Sequence, residues 1–290
     1  MLTITPLHPL FAARVTGLDL NDALDASVFA AISDAFDRYS VLVFPQQKID
    51  DTTQIRFSER FGPLESTRAG ANGAGSKLIV LTNIGPNGKI GASSDKQVLN
   101  NKANRIWHTD SSFKAVSARA SLLSAREIPS QGGDTEYASM RCAYAALSEA
   151  DKALVEGRVA IHDFTWSRSR IDTALVSDAE RAAQPPVRQA VVLDSPYGKA
   201  LYLGAHAQYI EGMDEAESRA LIDRLMAFGT QDRFIYRHAW SPHDLVLWDN
   251  RAVLHRATPF ATSNERRHMV RTTVAGHEPT IASQSAQAAE

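Results

Sequence analysis

The sequence predicts a mostly β fold with helical additions, an antiparallel sandwich or jelly roll. Three observations predict it. Short apolar runs recur at 41–44 (VLVF), 78–81 (LIVL), 121–124 (SLLS), 191–193 (VVL), 200–203 (ALYL), 234–236 (FIY) and 245–248 (LVLW). Each is strand-length and bounded by Gly, Pro, Asn, Asp or Ser. Only a few amphipathic helical patterns lie between them. With 290 residues, 44% of them hydrophobic, and no internal repeat, the chain supports a core without disulfides. We expect a single domain over residues 1–290.

Taken in order, residues 27–38 carry Val28, Ile32 and Phe36 at helical spacing. Residues 51–61 read as a second helix, with Asp51 as N-cap and Ile55 and Phe61 inward. Residues 66–104 contain AGANGAGSK and NIGPNGKIGASS and run directly into the next motif, which predicts a lid. Cys142, the single cysteine, sits in an apolar helical pattern (MRCAYAAL) and reads as core packing. The pattern at 214–228 places Leu221, Ile222, Leu225 and Met226 in one stripe, an amphipathic surface helix. The tail, 279–290, is small and polar, and we expect it to be flexible.

Composition excludes several classes. The formal net charge is -2 and no block of like charge occurs, so no nucleic-acid footprint is expected. No run of about 18 apolar residues exists, so no membrane-spanning helix is expected. The first residues, MLTITPLHPLFAARV, lack an early positive charge and are broken by Pro6, His8 and Pro9, unlike a secretory leader. One cysteine allows no internal disulfide, which fits a reducing compartment. The expected location is the cytoplasm.

Four motifs carry chemistry. In WHTDSSF, His108 and Asp110 are two apart, and on a strand such residues share a face. In LVLWDNRAVLHRATP an apolar strand turns at Asp249-Asn250 and reaches His255. Two His and one Asp from distant segments form the 2-His-1-carboxylate set of non-haem iron(II) oxygenases, which leaves three coordination positions open. In ERRHMVRTTVAG, Arg267, Met269 and Arg271 share one face of a strand. Two arginines facing a barrel interior would call for two anionic ligand groups; both facing solvent is the other reading. In GGDTE, the glycines permit a tight turn and Thr135 offers a hydroxyl that can donate to a carboxylate.

The order and spacing of WHTDSSF, GGDTE, LVLWDNRAVLHR and R-x-x-x-R resemble the taurine dioxygenase superfamily of Fe(II)/α-ketoglutarate dioxygenases. PLHPLFAA, FGPLE, MRCAYAAL and LGAHAQYIEGM make the chain most similar to its dichlorophenoxyacetate-cleaving branch. The resemblance covers nearly the whole chain. It implies a double-stranded β-helix (jelly-roll) core. It implies Fe(II) on His108, Asp110 and His255, α-ketoglutarate on Thr135 and Arg267, and O2 as oxidant. Arg271 matches the arginine that meets the substrate anion. A further basic residue follows FGPLE in the family, and Arg68 is the nearest candidate. His206, in GAHA, resembles a substrate-pocket residue, and a purely structural role is left open for it. The pair His243-Asp244 departs from the Gly-Asp common in relatives.

The implied reaction is hydroxylation of a small anionic substrate, an aryloxyalkanoate such as 2,4-dichlorophenoxyacetate. Ether cleavage would give a phenol and glyoxylate, with succinate and CO2 from the co-substrate. Sulfonates, alkyl sulfates or other arylalkanoates are the alternative substrates. A non-catalytic jelly roll that binds metal or acid, and a zinc hydrolase with the same ligands, are competing classes. The expected partners are small acids, with no nucleic acid and no membrane; a homo-oligomer is compatible with the sequence.

Overall fold

A computed structural model describes residues 1–67, 75–85, 87–91 and 102–281. The major sheet has seven strands: β1 (Thr3–Pro6), β2 (Ala13–Thr16), β3 (Val41–Phe44), β4 (Ile79–Thr82), β5 (Ala118–Glu127), β13 (Leu245–Asp249) and β15 (His268–Ala275). Their order is β1-β2-β3-β13-β5-β15-β4, antiparallel except for β2 against β3. A minor sheet holds β6 (Thr135–Ser139) at its centre, between β12 (Ile235–His238) and β14 (Val253–Ala257). A third sheet joins β7 (Val159–His162), β8 (Val187–Ala190) and β11 (Ala207–Ile210); β9 (Val192–Leu193) and β10 (Ala200–Leu201) form a ribbon. The architecture is the expected jelly-roll core with helices outside. Among the described residues no helix is long and apolar enough to cross a membrane.

Period-2 alternation explains why the central strands read as unbroken apolar runs. Val43, Leu123, Val246, Trp248 and Met269 face inward and meet Tyr137 and Val253 of the minor sheet. Their neighbours Leu42, Phe44, Leu122, Leu245 and Leu247 face the helices Ala26–Tyr39 and Asp51–Glu59. Strands buried on both faces lose the polar half of the usual alternation.

Several local readings change. The second helix is capped by Asp50, whose side chain accepts from the Thr53 amide, not by Asp51. Its buried face is Thr53, Gln54, Phe57 and Ser58, because Gln54 donates to the Val270 carbonyl on β15. Ile55 is only half-buried, while Phe61 is buried beyond the helix end. Cys142 is half-buried against the apolar core cluster, as packing predicts. His243 adopts φ +67, the left-handed region, so the residue that replaces the family's glycine sits in a conformation glycine favours.

The expected lid divides. Ile79–Thr82 pairs with β15 as the edge strand of the major sheet. Residues 68–74, 86 and 92–101 of it lie outside the described residues, as do residues 282–290 of the tail. Thr280, inside the expected flexible tail, is tied down, since its hydroxyl accepts from the Ala190 amide.

Candidate active site

His108 and His255 form an isolated antiparallel bridge, with amide-to-carbonyl distances of 3.1 and 2.8 Å. H-T-D is therefore not a strand: Asp110 reaches the ion site from the turn that follows the bridge. The ligand atoms of His108, Asp110 and His255 lie within 4.8 Å of one another, within reach of one ion. The Ile106 carbonyl, 2.7 Å from His108 Nδ1, can only accept, so Nδ1 carries the proton and Nε2 is left with its lone pair. The His255 ring sits between Trp248 (centroids 4.7 Å apart) and Tyr137 (6.3 Å). Burial, then His108, pushes the His255 imidazole well below its ordinary pKa, and burial also lowers that of His108. Neutral imidazoles are what a metal requires, and this donor set suits iron(II).

Asp110 is held on both oxygens. Oδ2 accepts from the Ser121 hydroxyl at 2.7 Å and lies 3.9 Å from His255 Nε2. Oδ1 accepts from Arg271 Nη1 at 2.5 Å. Burial opposes ionisation, but Arg271, the two imidazoles and Ser121 outweigh it and hold the carboxyl well below the usual carboxylate range. Behind it stands Asn250, 1% exposed. Its amide donates to Ser121 Oγ (3.0 Å), and its carbonyl oxygen accepts from Trp248 Nε1 (2.9 Å) and the Asp110 amide (3.2 Å).

A cavity of about 480 Å³ opens beside these groups, lined by residues of both facing sheets. At one end are Thr135 and Arg267. Gly132, at φ +73, passes so close to Pro259 that a Cβ there would lie 2.4 Å from its carbonyl oxygen. The turn thus delivers Thr135 to the first position of β6, against the chain that leads to Arg267. Arg267 precedes β15 rather than lying within it. Burial lowers its guanidinium to about 10, so it remains a cation at neutral pH. Among the described residues its side-chain contacts are weak, Nη2 to the Gly133 carbonyl at 3.5 Å and Cζ over the Phe260 ring at 5.8 Å, and neither neutralises it. A half-buried cation of this kind calls for an anion.

The other wall is aromatic. His206, 5% exposed, meets Phe113 edge-on (4.9 Å) and stacks on Phe164 (6.0 Å). Ser167 donates to the Phe164 carbonyl and accepts from His206 Nδ1 at 2.7 Å. All three rings line the cavity, as does Lys114, whose ammonium donates to Glu65 at 2.6 Å. Arg271, beside Asp110, and Thr273 line the same cavity. Arg68 lies outside the described residues.

The structure therefore brings His108, Asp110, His255, Thr135, Arg267, Arg271 and His206 to one cavity. Ser121, Asn250, Trp248, Phe113 and Phe164 escaped the sequence reading. All but Phe164 sat inside quoted segments, Ser121 and Trp248 as strand residues, Asn250 as a turn residue and Phe113 as a motif edge.

The chain is similar to known proteins over nearly its whole length. The family model of taurine catabolism dioxygenase TauD, TfdA matches residues 3–273. The chain is 41% identical over 268 residues to an alpha-ketoglutarate-dependent 2,4-dichlorophenoxyacetate dioxygenase of Cupriavidus pinatubonensis, covering 90% of this chain and 93% of that one. It is 38% identical over 273 residues to an (S)-phenoxypropionate/alpha-ketoglutarate-dioxygenase of Sphingobium herbicidovorans, covering 91% of each. Among solved structures, AAD-2 in complex with Mn(II) and N-oxalylglycine superposes with a TM-score of 0.89 at 39% identity, covering 98% of this chain and all of that one.

Proposed function

The chain belongs to the taurine catabolism dioxygenase TauD, TfdA family of iron(II)- and α-ketoglutarate-dependent dioxygenases, and on that premise we propose that it cleaves the ether of a small aryloxyalkanoate. His108, Asp110 and His255 hold the iron. Thr135 and Arg267 hold the far carboxylate of α-ketoglutarate. Arg271 meets the substrate carboxylate, and Phe113, Phe164 and His206 flank its aromatic ring. The observation that carries this reading is the content of one cavity: a three-ligand metal site, a half-buried cation with no acidic partner among the described residues, and an aromatic wall.

When bound, iron(II) with α-ketoglutarate supplies the oxygen-activating chemistry that yields succinate and CO2 and hydroxylates a substrate carbon. The protein's own part is placement and exclusion of water. Asp110 stays ionised because Arg271 and Ser121 hold it. With the substrate carboxylate on Arg271, beside Asp110, the carbon between carboxylate and ether oxygen would be the one next to the residues that would hold the metal. Hydroxylation there gives a hemiacetal, which releases the phenol and leaves glyoxylate. Oxygen balances: one atom of O2 enters succinate and the other enters the hemiacetal. The entire chain, residues 1–290, acts as one domain.

The test is succinate and phenol release with iron(II) and α-ketoglutarate over a panel of 2,4-dichlorophenoxyacetate, both phenoxypropionate enantiomers, alkyl sulfates and sulfonates. Equal phenol and succinate from an aryloxy acid supports the reading. Turnover of sulfur esters alone moves the same chemistry to another anion.

A further inference from the structure

Trp240 follows β12, and its indole Nε1 lies 3.1 Å from Thr135 Oγ1. An indole N–H can only donate. The Thr135 hydroxyl is therefore the acceptor in this contact, and its own proton must point elsewhere. The backbone of Thr135 has no freedom to rearrange: it is paired with His238 on one side and Ala257 on the other, in the central strand of the minor sheet. What remains is a hydroxyl rotor, with the indole on one lone pair and the Tyr137 phenol also within its reach.

The indole is itself braced. The ring of His238 meets it edge-on at 4.5 Å and 86°. His238 is 5% exposed, and its Nε2 lies 3.2 Å from Asp244 Oδ2, an oxygen that accepts from the Ser241 amide at 2.9 Å. Trp240 packs against the inter-sheet core. This bracing costs the protein two buried polar residues in a place that touches neither the metal site nor the substrate wall.

We propose that Trp240 is a positioning residue for the co-substrate. By occupying a lone pair of Thr135, it turns that hydroxyl's proton away from the indole and toward the far carboxylate of α-ketoglutarate, beside Arg267. Without the indole N–H, the hydroxyl could turn its proton away from the carboxylate, and pre-organisation would be lost. The inference rests on the reading that Thr135 and Arg267 hold that carboxylate.

Calorimetry on the Mn(II)-loaded protein tests it with two ligands, α-ketoglutarate and 2-oxopentanoate, which has a methyl group in place of the far carboxylate. Trp240→Phe should weaken α-ketoglutarate about fivefold to tenfold, within the range of one neutral hydrogen bond. It should leave 2-oxopentanoate unchanged. Thr135→Val should weaken α-ketoglutarate at least as much, and the double variant no more than Thr135→Val alone. Replacing Trp240 by 3-benzothienylalanine, which keeps the bicyclic shape and lacks the N–H, should match Trp240→Phe and serves if the phenylalanine variant fails to fold. Unchanged α-ketoglutarate binding in both position-240 variants overturns the proposal, as does additivity with Thr135→Val or equal weakening of both keto acids. If Thr135→Val itself leaves α-ketoglutarate binding intact, the placement of the carboxylate fails and the proposal falls with it.

Discussion

Arg271 Nη1 lies 2.5 Å from Asp110 Oδ1, while the other carboxylate oxygen faces His255. The arginine that the cavity offers to a substrate anion therefore also holds a metal ligand in place. One guanidinium has five N–H groups, so both duties fit on one side chain. Arg271→Ala should then lower iron(II) affinity about 10- to 100-fold before any substrate is added, the usual cost of losing a group that orients a ligand. Metal titration of the substrate-free protein checks this. An unchanged metal affinity with only a raised KM for the acid would confine Arg271 to substrate binding.

Asn250 ties Trp248, Ser121 and the Asp110 amide together in a site closed to water. Asn250→Ala leaves several buried groups unpaired, each costing about 1–3 kcal/mol. We expect a loss of about 2–4 kcal/mol in denaturant unfolding, together with weaker metal binding. A variant as stable as the parent would mean that the network carries no net energy.

Gly132→Ala places a Cβ against the Pro259 carbonyl at a positive φ. Something must shift, and what shifts is the turn that sets Thr135. The expected outcome is about 1–3 kcal/mol of destabilisation and a raised KM for α-ketoglutarate, with the KM for the substrate acid little changed. Equal effects on both KM values would mean the disturbance spreads across the cavity.

His162 is fully buried and stacked on Tyr202, and burial pushes its imidazole down to about 3. Above pH 6.5 it is neutral in both folded and unfolded chains and adds no pH dependence. As pH falls from 6.5 toward 3, the unfolded chain takes up a proton that the folded one refuses. Stability is then lost at about 1.4 kcal/mol per pH unit. Unfolding measured from pH 7 to pH 5 should show about 2 kcal/mol more loss in the parent than in His162→Phe. Parallel curves would remove His162 as the cause.

Most of the fold and the site's main groups were legible because their signals are local. Strand-length apolar runs with turn residues between them survive as β3, β4, β5 and β13. The metal set was legible because H-x-D and a distant His keep their order in the chain. What stayed hidden depends on contacts between remote residues. Trp240 and Thr135 are 105 positions apart, and no periodicity links them. Asn250 read as half of a turn, because its hydrogen bonds to Ser121 and Asp110 exist only once β5 and β13 are neighbours. The cap shifted from Asp51 to Asp50 because either aspartate satisfies the local pattern and only the Thr53 amide chooses. H-T-D looked like a strand because spacing cannot tell a same-face pair from a bridge followed by a turn.

The central claim is that three side chains from distant segments hold one metal ion. Anaerobic equilibrium dialysis with iron(II) measures it directly, on the parent and on His108→Ala, Asp110→Ala and His255→Ala. The account predicts one ion per parent chain and a loss of binding in each variant, with folding intact by circular dichroism. One tightly held ion per chain in all three variants would contradict it.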